Sequence, residues 1–392
     1  MQTSQSVAST ASTQTTARVQ SVDILRGAVM VLMAIDHVRC YSGLPAGGST
    51  AGIFFTRWVT HFCAPAFVFF AGTSAYLYYS KILNKGRLAS FLLSRGLLLV
   101  ILELTVVKFS WGFNLNYANF TLAGIIWMIG WCMVLLSAFV RLKPLTIAIT
   151  GLVIIAVQQV FQYVPLLFPQ AWREYVGWIW GFFYYSGYQG MPHIAVLFVI
   201  LPWLGVMMAG FGFGKLLLGN QRFLKKFCLW MGLSAIVAFL IAGGIIVIKN
   251  HSPQDTRPFI FKLLAQQKYP PSQLFLLMTL GPVIALVPWA QHVKGWLANV
   301  LKLFGRVPLF YYLLHILLIH ISALIVNLIV SGNAHQEWYT TAPFTEVPEG
   351  QRWGLGMLYL VYAVDVVVLY FACRWYAKYK FAHPGKKWLK YI

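Results

Sequence analysis

A handful of ionisable residues stand inside long apolar blocks of this chain, and any chemistry there would fall to them. They are Arg26, Asp36, His37, His61, Glu103, His315, His320 and Asp365. An imidazole can take a proton from an attacking amine or hydroxyl, and a guanidinium can hold a phosphate or a carboxylate. Arg26 and His37 are eleven residues apart, almost three helical turns, so they share a face about 16 Å apart along the axis. That spacing suits a cation near one mouth of a tunnel and a base deep inside it. It equally suits a snorkelling arginine and a packed histidine. Asp36 adjoins His37 but points about 100° away. It is placed either to pair with Arg39 or Arg57, or to orient an acceptor or the histidine.

His61 falls at a depth close to that of His37, as a second cavity histidine or a plain interfacial one. Glu103 has no basic neighbour one turn away, so its partner must come from another helix or from a cavity. His315 and His320 are five apart and face different ways, which disfavours a two-histidine metal site on one helix, and no metal is expected. His315 is the cavity candidate of the two. Asp365, mid-way along the last apolar block, suits a buried pairing with a cation or tyrosine, or a place in the cavity.

The elements that position these residues follow from composition. Of 392 residues, 59% are hydrophobic and only 10% charged. Soluble domains carry roughly 25% charged residues, so this chain cannot clothe a water-facing surface. Its apolar blocks run to about 20 residues, the length that crosses a bilayer core of ~30 Å. The fold class is therefore all-α, a polytopic membrane helical bundle of about ten spans. The spans fall at roughly 22–40, 58–80, 88–109, 118–140, 144–164, 192–216, 227–249, 273–291, 307–331 and 353–377. The aromatic stretch 165–191 reads as an interfacial or re-entrant element. The Ser/Thr/Gln-rich residues 1–17 read as a disordered tail, 18–380 as the membrane domain and 381–392 as a basic tail. A cleavable signal peptide is not expected.

The net charge of +21 suggests nucleic acid at first sight. Topology accounts for it instead, because Lys and Arg collect on the cytoplasmic side. With both termini inside, most of the 30 basic residues fall inside. Outside remain Arg39, Arg57, Lys108, Arg173, Lys249, Arg257, Lys262, Lys268 and Arg352. The outer loop 250–272 fits this least well, and its cations suit an anionic acceptor, lipid or plain solvation. The five cysteines lack metal spacing and read mainly as packing residues, with a Cys40–Cys63 disulfide left open. Gly210-Phe211-Gly212-Phe213-Gly214-Lys215 has no preceding strand, so it reads as close helix contact rather than a nucleotide loop.

Three segments together resemble a known family. They are Ser21-Val22-Asp23-Ile24-Leu25-Arg26-Gly27 continuing to Ile35-Asp36-His37-Val38-Arg39; His61-Phe62-Cys63-Ala64-Pro65-Ala66-Phe67-Val68-Phe69-Phe70-Ala71-Gly72-Thr73-Ser74; and Phe304-Gly305-Arg306-Val307-Pro308-Leu309-Phe310-Tyr311-Tyr312-Leu313-Leu314-His315. The set resembles bacterial relatives of the heparan-alpha-glucosaminide N-acetyltransferase catalytic domain, over about residues 18 to 380. Arg26 through His37 is also similar to the first-span arginine, ten residues, histidine pattern of the wider transmembrane acyltransferase group. The resemblance implies a multi-pass enzyme of a bacterial plasma (inner) membrane. Cytosolic acetyl-CoA would be the acyl donor, held by inner cations such as Arg26, Lys81, Lys85 and Arg95. The acceptor would be an amine or hydroxyl of a glycan or cell-envelope molecule outside, and no nucleic acid partner follows. His37 would be catalytic, as base or acyl carrier.

One departure stands out. The lysosomal enzyme has an asparagine near the end of its first span and its catalytic histidine in the following segment. Here Asp36 takes the asparagine position, and residues 40–56 hold no histidine. His61 is thus the alternative to His37, which is favoured. The rival class is a multi-span transporter or flippase, which also needs ionisable groups at depth. Neither an inverted repeat nor paired broken helices are visible in the sequence. A homo-oligomer is compatible with everything above.

Overall fold

The computed structural model describes residues 2–47, 50–185, 193–250 and 254–391, with only the backbone of 2–19, 387 and 390. The chain is a helical bundle. Among the described residues, eight helices are long and apolar enough to cross a membrane, and Ile125–Phe139 is a shorter apolar one. In chain order the helices are α1 (Gln2–Tyr41), α2 (Ala51–Trp58), α3 (Cys63–Ile82), α4 (Lys85–Leu102), α5 (Lys108–Gly112), α6 (Ile125–Phe139), α7 (Pro144–Val157) and α8 (Gln170–Trp180). They continue with α9 (Ile200–Leu217), α10 (Gln221–Lys249), α11 (Phe259–Leu264), α12 (Gln273–Ala290), α13 (Trp296–Arg306), α14 (Pro308–Ser331) and α15 (Leu355–Ala382). A one-turn 3-10 segment joins α2 to α3, and a π-helical segment, Glu103–Val107, joins α4 to α5.

Local sequence sets the boundaries. The Asn84 side chain accepts from Arg87 N–H and opens α4, while Leu83 in the left-handed region closes α3. Asn220 and Ser272 cap α10 and α12 in the same way. Each cap satisfies amide donors that the first helical turn leaves unpaired. Between α13 and α14 the chain breaks at Val307, because Pro308 cannot continue the preceding helix and instead starts the next.

Two expected spans are corrected at their starts. The stretch 118–140 is helical only from Ile125, and 192–216 only from Ile200. The lead-in residues form β1 (Thr121–Ala123) and β2 (Ile194–Val196), paired in parallel with Leu122 opposite Ala195. The start of α6 is buried, and Glu103 from the π-helical segment supplies its cap. Its carboxylate lies against the first turn of α6. A Cβ at Gly124 would stand 2.2 Å from Glu103 Oε1, and the Gly124, Ile126 and Trp127 amides act on the carboxylate. Oε2 is buried without a hydrogen-bond partner among the described residues. Glu103 is 2% exposed. A buried helix terminus needs such a partner, since no water reaches its amides.

Helix α1 runs through the centre, packed by α3, α12, α13, α14 and α15. Helix α9 is also central, with 72% of its apolar window buried against 17% for the lipid-facing α10. Close approach of α3 to α9 needs glycine: a Cβ at Gly210 would lie 2.0 Å from the Phe69 carbonyl oxygen. The Gly210–Lys215 stretch therefore serves helix contact. The same device brings α13 against α1, where a Cβ at Gly305 would lie 1.9 Å from the Asp23 carbonyl oxygen.

Helix α8 exposes Trp172 and Tyr175, as an interfacial element would. The rest of that stretch, 186–191, lies outside the described residues. Cys40 and Cys63 are both free and buried, so the disulfide left open by the sequence is not formed. Cys63 Sγ instead donates to the Val29 carbonyl at 3.1 Å.

Candidate active site

One stripe of α1 lines two cavities. Arg26 and Met30 face a cavity of about 460 Å³, and Met33 and His37 face another of about 470 Å³. These positions recur at helical spacing, so a single face of α1 serves both. Tyr312 of α14 and Ile125 at the start of α6 line both cavities, so the two approach each other across these side chains.

The first cavity is lined by cations and by apolar side chains. Its cations are Arg26, Arg95, Arg306 and Lys380; its walls include Phe67, Ala71, Leu99, Ile129 and Met133. Arg26 is held firmly. It donates to Ser74 Oγ at 2.5 Å and to the Phe70 and Gly305 carbonyls, each at 3.3 Å. Asp23 lies between Arg26, at 4.0 Å, and Arg306, at 3.8 Å. Arg306 reaches the rim because the Val307–Pro308 break ends α13 there.

The second cavity opens among loops. It is lined by residues 43–46, by Lys268 and Tyr269, by Pro343 to Thr345 and by Arg352. Asp36 also lines it, and Arg39 Nε donates to its Oδ1 at 2.8 Å. Arg39, Arg57, Lys268 and Arg352 outnumber that one carboxylate. Of the three cations expected in the 250–272 loop, Lys268 reaches the cavity. Lys262 donates to the Asp255 carbonyl, and Arg257 pairs with the Asp255 side chain. The Arg257 hydrogen bonds hold the Asp255 carboxyl well below the usual carboxylate range.

Beside the second cavity stands a histidine pair. His37 Nδ1 lies 2.7 Å from His315 Nε2. His315 Nδ1 faces two carbonyl oxygens, Tyr312 at 2.5 Å and Tyr311 at 3.2 Å. A carbonyl only accepts, so His315 carries its proton on Nδ1 and presents a lone pair at Nε2. His37 then donates from Nδ1, and its own lone pair is at Nε2. A ring so fixed can accept a proton from a nucleophile in the cavity it lines. The Trp111 ring meets His37 edge-on at 5.0 Å and buttresses it.

The other sequence candidates fall elsewhere. His61 is 8% exposed, with Nδ1 at 3.0 Å from the Trp58 carbonyl and its ring against Phe275. It lines neither cavity. His320 packs among Tyr41, Phe113 and Tyr339, with its nitrogens at Ser110 O and Gln336 Oε1. Asp365 accepts from Ser322 Oγ at 2.7 Å, buried between α14 and α15. Glu103 caps α6. Lys81 is exposed outside the basic cavity, and Lys85 Nζ donates to the Arg141 carbonyl. Arg306, Lys380 and Tyr312 were not singled out as site residues from sequence. The third quoted segment carries Arg306 and Tyr312 beside His315, whereas nothing in the sequence marks Lys380. Among the described residues no three His, Cys, Asp or Glu side chains gather as metal ligands.

Residues 18–244, more than half of the chain, match the family described as heparan-alpha-glucosaminide N-acetyltransferase, catalytic. The chain belongs to this family. No curated protein matches it. Membership in the heparan-alpha-glucosaminide N-acetyltransferase catalytic family makes it a transmembrane acetyltransferase by class. The matched range holds Arg26, Asp36, His37, Arg95 and the whole of α6. The partner histidine, His315, lies beyond it and joins the family segment only through folding.

Proposed function

We propose that the protein transfers an acetyl group from acetyl-CoA, entering the basic cavity, to an amine or hydroxyl of a glycan-type acceptor in the loop-side cavity. The observation that carries this reading is the approach of two cavities across Tyr312, with His37 lining one of them and paired to His315 so that its lone pair is left on Nε2. The basic cavity suits the donor. Four cations line it for phosphates, and its apolar walls suit an extended pantetheine arm. The distribution of Lys and Arg supports a cytoplasmic side for that cavity, in this reading that of a bacterial plasma membrane.

The chemistry balances with the residues present. His37 Nε2 takes the proton as the acceptor nitrogen or oxygen attacks the thioester carbonyl. The C–S bond breaks, and the same proton returns to the CoA sulfur. His315 holds His37 in the required tautomer throughout. A two-step route through an acetylated His37 uses the same atoms, with the ring nitrogen as nucleophile and the acceptor deacylating it.

The test uses the full chain in detergent with acetyl-CoA labelled in the acetyl group, with and without amino-sugar acceptors. The expected result is label transfer, or at least thioester hydrolysis, that disappears in His37→Ala. A folded wild-type protein that neither binds nor consumes acetyl-CoA overturns the reading. Ion-coupled substrate flux without any CoA dependence would point to a transporter instead.

A further inference from the structure

We propose that the groove between α13 and α15 is a binding site for the phosphate head-group of an anionic phospholipid. The groove is a cavity of about 370 Å³ lined by Lys302, Arg306 and Arg374, with Trp296, Asn299 and Tyr370. Three cations and no carboxylate line it, so its field favours a phosphate.

The surroundings favour an amphipathic ligand over a free ion. Helix α13 is short and two-faced. Ala298, Phe304 and Gly305 are buried against the bundle, while Trp296 is 76% exposed and Leu297 60%. An exposed Trp-Leu pair beside cations is the pattern of a helix lying in the membrane interface. About one and two turns toward the membrane centre from Arg374, α15 exposes Phe371 and Val367, an apolar surface for acyl chains. Neither Lys302 nor Arg374 makes a hydrogen bond or close ion pair among the described residues. Arg306 is already 3.8 Å from Asp23 and stands two-thirds exposed. Basic pockets between membrane helices at such a face take anionic head-groups.

The site is separate from the donor cavity but shares its Arg306 rim. A lipid phosphate there would hold Arg306 in place between the two cavities. The inference does not depend on the acetyl-transfer reading, because its measurement is lipid binding.

The experiment compares phosphatidylglycerol with phosphatidylcholine on the delipidated full-length protein, by native mass spectrometry and by hydrogen exchange of residues 296–306. Wild-type protein is expected to prefer phosphatidylglycerol and to gain protection over α13. In Lys302→Ala/Arg374→Ala the preference is expected to fall roughly thirtyfold. Lys302→Arg/Arg374→Lys should keep it, which separates lost charge from lost folding. An equal preference in the alanine variant overturns the proposal, as does a wild type that does not discriminate the two lipids. Protection of α13 by inorganic phosphate alone, or by CoA alone, would assign the groove to a free phosphate and sink the lipid assignment.

Discussion

His37 and His315, 278 residues apart in sequence, face each other nitrogen to nitrogen at 2.7 Å. His315 is locked from behind by the Tyr312 carbonyl, so the direction of the hydrogen bond between the rings is set by the α14 backbone. His37 supplies the lone pair, and His315 chooses which nitrogen carries it.

The two histidines should therefore fail differently. His37→Ala is expected to lower acetyl transfer about 10²–10⁴-fold, the span of a lost general base. His315→Leu keeps the bulk but removes the acceptor for His37 Nδ1–H. Its turnover should fall about 10–100-fold, with KM for acetyl-CoA nearly unchanged, as for groups that orient a reactive imidazole. Steady-state kinetics on both variants decide this, and an unaffected His315→Leu would remove the orienting role of His315.

Donor binding should follow the cavity rim rather than the nearest loop. Lys380→Ala is expected to raise KM for acetyl-CoA several-fold, while Lys81→Ala and Lys85→Ala leave it unchanged. Binding through phosphates weakens with salt, so wild-type affinity should fall between 50 and 500 mM salt on the scale set by screening. Arg26→Ala should both weaken donor binding and lower thermal stability, because its guanidinium also joins α1 to α3 and α13.

Tyr312 lines both cavities, so its ring is expected to keep water from the thioester until an acceptor is bound. Tyr312→Ala should raise acetyl-CoA hydrolysis relative to transfer, whereas Tyr312→Phe should keep the ratio. Product analysis by mass spectrometry distinguishes the two. A wild-type ratio in Tyr312→Ala would show that the ring is no barrier.

Glu103 is expected to matter for folding. Glu103→Gln retains an acceptor for the α6 amides and should be mild. Glu103→Ala removes the carboxylate facing the start of α6, and the loss of that buried acceptor should cost about 1–3 kcal/mol. Thermal unfolding in detergent reads the difference. Loss of activity in Glu103→Ala at unchanged stability would instead assign the carboxylate to the site.

Gly210→Val tests the helix contact. The side chain would meet the Phe69 backbone, and overpacking of this kind costs about 1–3 kcal/mol. Reduced yield of folded protein is the expected outcome, and a fully stable variant would show that α3 and α9 separate easily.

The helical bundle and the shared face of Arg26 and His37 were written in the sequence. Both are local: 20-residue apolar blocks have few other solutions, and eleven residues always make nearly three turns. The pairing of Asp36 with Arg39, one turn away, was equally within reach. Which histidine meets the cavity was not. His37 and His61 lie at similar depth, and only the packing of His61 against Phe275 separates them. The truncation of α6 depended on Glu103 arriving from another helix. The basic rim needed Arg306 and Lys380 from the far end of the chain. Spacing along one helix fixes direction, but a cavity, a tautomer and a charge balance are properties of several helices at once. Their long-range contacts exist only after the chain has folded.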